Sequence, residues 1–153
     1  MIAYDGSEVS RAAVRQAAEV FPERPAVVVT VWEPGLAAVA VGQPDTLGMS
    51  MAPDPATLQA VDRVQHEHAS TVASQGAELA RSLGLAAEPQ AVAEEVNVAQ
   101  TVIEIARDRG AAVVVVGSHG ISGLRSRLLG SVARKLIESC DRPVLVIRAD
   151  SKG

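Results

Sequence analysis

The chain has 153 residues, 18 acidic and 14 basic, for a net charge of −4; 48% of it is apolar, yet it carries one Trp, one Tyr and one Phe. A chain of that length is one domain, residues 1–153, able to bury roughly 70% of its unfolded surface in a core of Val, Ala, Leu and Ile. The acidic balance excludes a basic footprint for duplex nucleic acid, and the scarcity of aromatics excludes a stacking platform for single strands. The single Cys140 makes no internal disulfide. The opening MIAYDG has neither the charged nor the apolar region of a secretory leader. With no stretch long enough to span a membrane, the expectation is a cytoplasmic protein.

Ile2 to Asp5 reads as a short central strand with Asp5 at its carboxyl end, followed by Ser7 as a helix N-cap. Ala13, Val14, Ala17, Ala18 and Phe21 give that helix one apolar face, and Pro22 and Pro25 end it. Ala26 to Trp32 is an unbroken apolar run, as expected of a parallel strand covered on both faces. Residues 33–55 hold several Pro and Gly with no period, which predicts a long loop. From Ala56 to Leu83, the residues Leu58, Val61, Val64, Ala69, Val72, Ala73, Leu79 and Leu83 keep helical spacing, with Gly84 as the C-terminal stop. Leu85 to Ala93 is a weaker strand. Pro89 inside it cannot donate to a ladder and places it at a sheet edge. Asn97 caps a further helix whose inward residues are Val98, Val102, Ile103 and Ala106, ended by Gly110. Val113 to Val116 is another buried strand. A glycine-marked loop follows, and then a helix with Val132, Ala133, Leu136, Ile137 and Cys140 on its apolar face. Pro143 to Ile147 is the last strand, and residues 149–153 form a polar tail.

Strands alternating with helices predict an α/β fold: one doubly wound open parallel sheet of five strands, order 3-2-1-4-5, with helices on both faces. The switch point then lies between the Asp5 strand and the Val113 strand, and open sheets bind ligands in that crevice.

The stretch AAVVVVGSHGISGLRSRLLGSV carries the chemistry. Gly117 and Gly120 bracket Ser118 and His119, and Gly130 and Ser131 open the following helix, where free N–H groups and the positive dipole end favour an anion. Taken alone, these glycines could simply shape a strand–loop–helix connection. Their spacing, G-x2-G-x9-G-S, resembles the signature of the universal stress protein family in its ATP-binding subclass. AYDGSEVSRAAVRQA near the start and LLGSVARKLIESCDRPVLVIR near the end resemble the same family. Members usually begin the first strand a few residues earlier.

The resemblance implies an adenine nucleotide, ATP, as ligand, and leaves open whether Mg2+ accompanies it. It makes Asp5 a partner of the base or ribose, where the residues alone also allow an Asx turn before Ser7. It matches the backbone of Val31 to a position that hydrogen-bonds adenine. It places the Gly117, Ser118, His119 and Gly120 loop near ribose and phosphates, and Gly130, Ser131 and Val132 on the phosphates. His119 reads equally as a phosphate contact or a solvated loop histidine. Arg125 and Arg127 read equally as phosphate-screening, solvated or subunit-contacting. The segment Glu94-Glu95-Val96-Asn97-Val98 departs from the G-x-P turn that the family often has there, and its carboxylates are read as facing water.

The resemblance also implies a homodimer through the last strand, Val144, Leu145, Val146 and Ile147, an apolar edge without internal charge. No P-loop, dinucleotide fingerprint, Cys–His pair or carboxylate pair is present, so no catalytic residue is named. His66 and His68 do not share a helix face, so no metal site is named either. The reading is a nucleotide-responsive stress module. A slow ATPase, a cyclic AMP binder and a nucleotide-free interaction protein stay open as alternatives.

Overall fold

The computed structural model describes residues 1–35, 54–120 and 129–148. The expected tail 149–153, Arg125, Arg127 and most of the expected loop 33–55 lie outside the described residues. In chain order the elements are β1 (Ile2–Ala3), α1 (Glu8–Val20), β2 (Pro25–Trp32), α2 (Pro55–Ser82), β3 (Ala86–Ala93), α3 (Val98–Asp108), β4 (Val114–Gly117), α4 (Ser131–Ser139) and β5 (Val144–Ile147). The five strands form one sheet, ordered β3-β2-β1-β4-β5, and every pairing is parallel. β1 is shorter than expected, although the Tyr4 N–H extends its ladder by one bond to Val29 O, at 2.8 Å.

The unbroken valine runs are explained by burial on both faces. Val28 and Val115 face one core with Ala13, Val14 and Ala17 of α1 and Ala77 and Ala80 of α2. Val29, Val114 and Val116 face the other, with Ala99, Val102, Ile103 and Ala106 of α3 and Ala133 and Leu136 of α4. Alternate residues of one strand thus enter different cores.

The helices begin and end largely as their punctuation predicts. The Ser7 hydroxyl accepts from Ser10 N–H at 3.1 Å, and Asn97 Oδ1 accepts from Gln100 N–H at 2.9 Å. Gly84 (φ +92°) and Gly110 (φ +59°) sit just past α2 and α3 in the left-handed region. Around each, two amides fold back on the last turn: Gly84 to Arg81 O with Leu85 to Ala80 O, and Gly110 to Arg107 O with Ala111 to Ala106 O. This is the Schellman arrangement, and it satisfies carbonyls that the helix itself cannot.

Two expectations need correction. In α2 the buried residues are Ala69, Ala73, Gly76, Ala77 and Ala80, while Val64 is 63% exposed and Leu83 is also exposed. At Gly76 the helix lies too close to the sheet for a side chain: a Cβ there would stand 2.7 Å from the Tyr4 ring and 2.8 Å from Val28 Cγ1, whereas Val72 and Leu79 still pack against the core. In α4, Ala133 and Leu136 are buried but Ile137 is 53% exposed. Cys140 is half-buried against the α3–α4 core.

Candidate functional site

The carboxyl ends of β1, β2 and β4 meet the start of α4 around a cleft of about 370 Å3. Asp5, Val31, Gly117, His119, Gly120, Gly130, Ser131 and Val132 all line it. Its apolar side comes from Ala3, Val29, Val98, Val102 and Val116. Of the predicted residues, only Ser118 does not line the cleft. The position is the switch point, since β1 pairs with β2 on one side and β4 on the other. A larger hollow, about 1000 Å3, lies at the opposite ends of the strands against Ile2, Phe21, Arg24 and Arg81. It contains none of the predicted residues and lacks the glycine loop, so the smaller cleft is the candidate.

Asp5 makes the turn that its residues allow and also stands at the cleft. Its Oδ1 accepts the Ser7 N–H at 3.0 Å, which is the Asx turn, and Gly6 supplies the φ of +80° that the turn needs. The carboxylate also borders the cleft. A Cβ on Gly120 would lie 2.7 Å from Asp5 Oδ2, so the glycine loop closes onto the end of β1. A side chain on Gly120 would have to displace the Asp5 carboxylate.

The other glycines have local reasons as well. A Cβ on Gly117 would come within 2.9 Å of Val9 Cγ1, in the first turn of α1. One on Gly130 would come within 3.2 Å of His119 Cα and 3.3 Å of Ser118 O. The bare face of Gly130 therefore meets the neighbouring loop. Its amide donates to Ser118 O at 2.7 Å, and the Ser118 amide donates to Ile147 O of β5 at 2.7 Å. The Ser118 peptide thus bridges the edge strand and the start of α4. Ser118 is 3% exposed, and its hydroxyl lies 3.1 Å from His119 Nδ1.

Gly130 is the N-cap of α4 and offers no side chain to the helix amides. The first intrahelical bond is Arg134 N–H to Gly130 O, at 3.0 Å. The amides of Ser131, Val132 and Ala133 therefore precede the helical ladder. Among the described residues no side chain caps them, whereas Ser7 and Asn97 cap α1 and α3. All three residues line the cleft. An anion there meets donors and the positive dipole end together. Glu95 is exposed, Glu94 is half-buried, and neither lines the cleft, so Asp5 is the one carboxylate lining it among the described residues. No group of three or more His, Cys, Asp or Glu able to hold a metal occurs among those residues.

Sequence reasoning missed the whole apolar side of the cleft, and also Tyr4, Ser10, Leu129 and Ala133, as lining residues. Ser10 had a usable signal, standing three residues after the Ser7 cap; its hydroxyl donates to Ser7 O at 2.9 Å. Ala133 follows from counting unladdered amides once the start of α4 is known.

Fold and cleft define an open doubly wound α/β protein with an uncapped helix end at its switch point. A family model described as the universal stress protein family matches residues 1–148, and the chain belongs to that family. Universal stress protein YxiE of Bacillus subtilis is 30% identical over 153 residues, 97% of each chain. The structure of MJ0577, a universal stress protein of Methanocaldococcus jannaschii, superposes with a TM-score of 0.77 at 19% identity over 99% of this chain and 95% of that one. More distant matches, with TM-scores of 0.56–0.59 and 14–21% identity over 96–99% of this chain and 91–99% of theirs, include three nucleotide complexes. They are a universal stress protein with cAMP, one from Archaeoglobus fulgidus with dAMP and one from Arabidopsis thaliana with AMP. At those identities the structural matches establish the shared fold.

Among the described residues no helix is long and apolar enough to cross a membrane.

Proposed function

We propose that the protein binds an adenine nucleotide, ATP, in the switch-point cleft and acts as a nucleotide-responsive regulatory module of the cytoplasm. The observation that carries this reading is the convergence of Asp5, Val31, Gly117, Gly120 and Ser131 on one cleft, although they come from four separate parts of the chain. AMP, dAMP and cAMP in the neighbours share adenine and a phosphate. Its apolar side, with Val29 and Val102, suits a base, and the start of α4 suits the phosphates. In this reading the Val31 backbone meets adenine, Asp5 the ribose or base, and the amides of Ser131, Val132 and Ala133 the phosphates. The Gly130 amide is already engaged by Ser118 O, so Gly130 serves by close packing. A single carboxylate does not fit a resident Mg2+ site. Any such ion arrives with the phosphates and keeps its waters.

The β5 edge supports a second element of the reading, a homodimer. Val144, Leu145 and Val146 are half-buried, and β5 pairs only with β4 among the described strands.

Mass spectrometry of ligand released from purified protein, followed by calorimetry with ATP, AMP, cAMP and adenosine, tests the central claim. ATP is expected as the tightest of the four. Release of no nucleotide together with no binding heat for any of them overturns it.

A further inference from the structure

The Ser118 side chain is the predicted site residue that lies outside the cleft, and its surroundings suggest a different role for it. Ser118 is held at both backbone groups, its N–H on Ile147 O and its C=O on the Gly130 N–H. Its hydroxyl is buried, and among the described residues its hydrogen-bond partner is His119 Nδ1, at 3.1 Å. Two proton arrangements are open to that contact. If Nδ1 carried the hydrogen, the Ser118 O–H would be a buried donor with no acceptor among these residues, which is costly. If the hydroxyl donates, Nδ1 is the acceptor and the neutral ring carries its hydrogen on Nε2. His119 lines the cleft, and its Cα stands 3.2 Å from the Cβ position of Gly130, beside the start of α4. With Nδ1 occupied, Nε2–H is the polar group that the ring offers to a ligand.

We propose that Ser118 is a positioning residue that fixes the orientation and tautomer of His119, so that the imidazole Nε2–H joins the α4 amides as a donor to the ligand's phosphates. The inference rests on the nucleotide reading above. It gives the cleft a side-chain donor selective for phosphorylated ligands over the bare nucleoside, and it assigns the buried Ser118 hydroxyl a task that lining the cleft would not.

The test is a double-mutant cycle read by calorimetry with ATP and with adenosine. His119→Ala is expected to weaken ATP about tenfold, the loss of one hydrogen bond to a charged acceptor. Ser118→Ala is expected to lose less, and Ser118→Ala with His119→Ala no more than His119→Ala alone, because Ser118 acts through His119. Adenosine affinity falls by much less than ATP affinity in each variant. Ser118→Cys, equal in shape and a weaker donor, gives the same ATP-selective loss and serves if Ser118→Ala does not fold. In protein labelled with 15N-histidine, the His119 Nε2 resonance shifts with ATP and not with adenosine, and the response shrinks in the Ser118 variants. Losses that add in the double variant, equal losses for adenosine, or an unchanged ATP affinity in His119→Ala overturn the proposal while leaving nucleotide binding in place. Wild-type protein that binds neither ligand overturns both.

Discussion

Replacing Ser131 by Asp puts a permanent negative charge where the proposed phosphates sit, and its two consequences have opposite signs. In the ligand-free protein a carboxylate at the first position of α4 meets the uncapped amides and the positive dipole end. Ser131 is exposed, so the gain falls in the ordinary surface range of about 0.3–1 kcal/mol. For a domain of this size that raises the melting temperature by about 1–3 °C. With ATP the same carboxylate faces phosphate. Two unit charges about 4 Å apart repel by roughly 1 kcal/mol in water and about 4 kcal/mol in a partly screened site. The Ser131 hydroxyl donor is also lost, worth about 1.5 kcal/mol at the low end appropriate to an exposed group. Together these weaken ATP by about 2.5–5.5 kcal/mol, from roughly sixtyfold to nearly ten-thousandfold. Ser131→Ala loses only the hydroxyl and weakens ATP about tenfold. Adenosine, which has no phosphate, binds all three proteins alike. Titration calorimetry with both ligands, alongside thermal melts of the ligand-free proteins, measures each part. Equal weakening of adenosine, or a Ser131→Asp variant that melts below wild type, refutes the anion-site reasoning.

Asp5→Asn keeps an acceptor for the Ser7 N–H and removes the charge, whereas Asp5→Ala removes both. Asp5→Ala is expected to lose about 1 kcal/mol of stability and about tenfold in nucleotide affinity, with Asp5→Asn losing affinity alone; unchanged affinity in both leaves Asp5 as a turn residue. Gly76→Ala gains about 1 kcal/mol of helix propensity but drives a methyl group into Tyr4 and Val28, and overpacking of about 1–3 kcal/mol wins. The expected net loss is about 1 kcal/mol, a fall of about 2–4 °C in melting temperature, and a rise would show that the core yields. Val146→Lys places a charge on the β5 edge and is expected to shift sedimentation toward monomer. A wild-type protein that sediments as a monomer at high concentration removes that interface.

Much of the fold was legible because its signals are local. Ser7 and Asn97 announce helix starts through the amides they accept from, and Gly84 and Gly110 mark ends because the chain there turns into the left-handed region. The valine runs announced burial on two faces. Part of the α2 face was misjudged: Ala69 and Ala73 are buried and Val72 and Leu79 pack against the core, but Val64 and Leu83 stay exposed, while close approach to the sheet selects Gly76, Ala77 and Ala80. Ile137 failed for a related reason: helical spacing gives a stripe, but its width depends on how much of the helix the sheet covers. Eight of the residues that line the cleft were named from the sequence, but the local reasons for them were not. The spacing of Gly130 implies a phosphate neighbour, yet its missing Cβ makes room for the Ser118–His119 backbone. Ser118 was placed at the ligand by its position in the motif, and a buried hydroxyl aimed at the next residue leaves no mark in a sequence.

The alternation of Val114, Val115 and Val116 between two cores has a consequence for how β4 finds its place. Hydrophobic pattern normally sets strand register, because a slip of one residue turns apolar side chains toward water. Here a slip would exchange one valine for another, and burial alone could hardly tell the two arrangements apart. Gly117 can. Sliding the strand forward by one brings Val116 against Val9, where even a single Cβ stands within 2.9 Å. Sliding it back puts Gly117 into a valine's space in the core and Ser118 against the same wall. The glycine that opens the loop thus guards the alignment of the whole strand, and a variant such as Gly117→Val risks a misthreaded β4 whose core looks well filled while the loop beyond it arrives one residue out of step with Asp5 and Gly130.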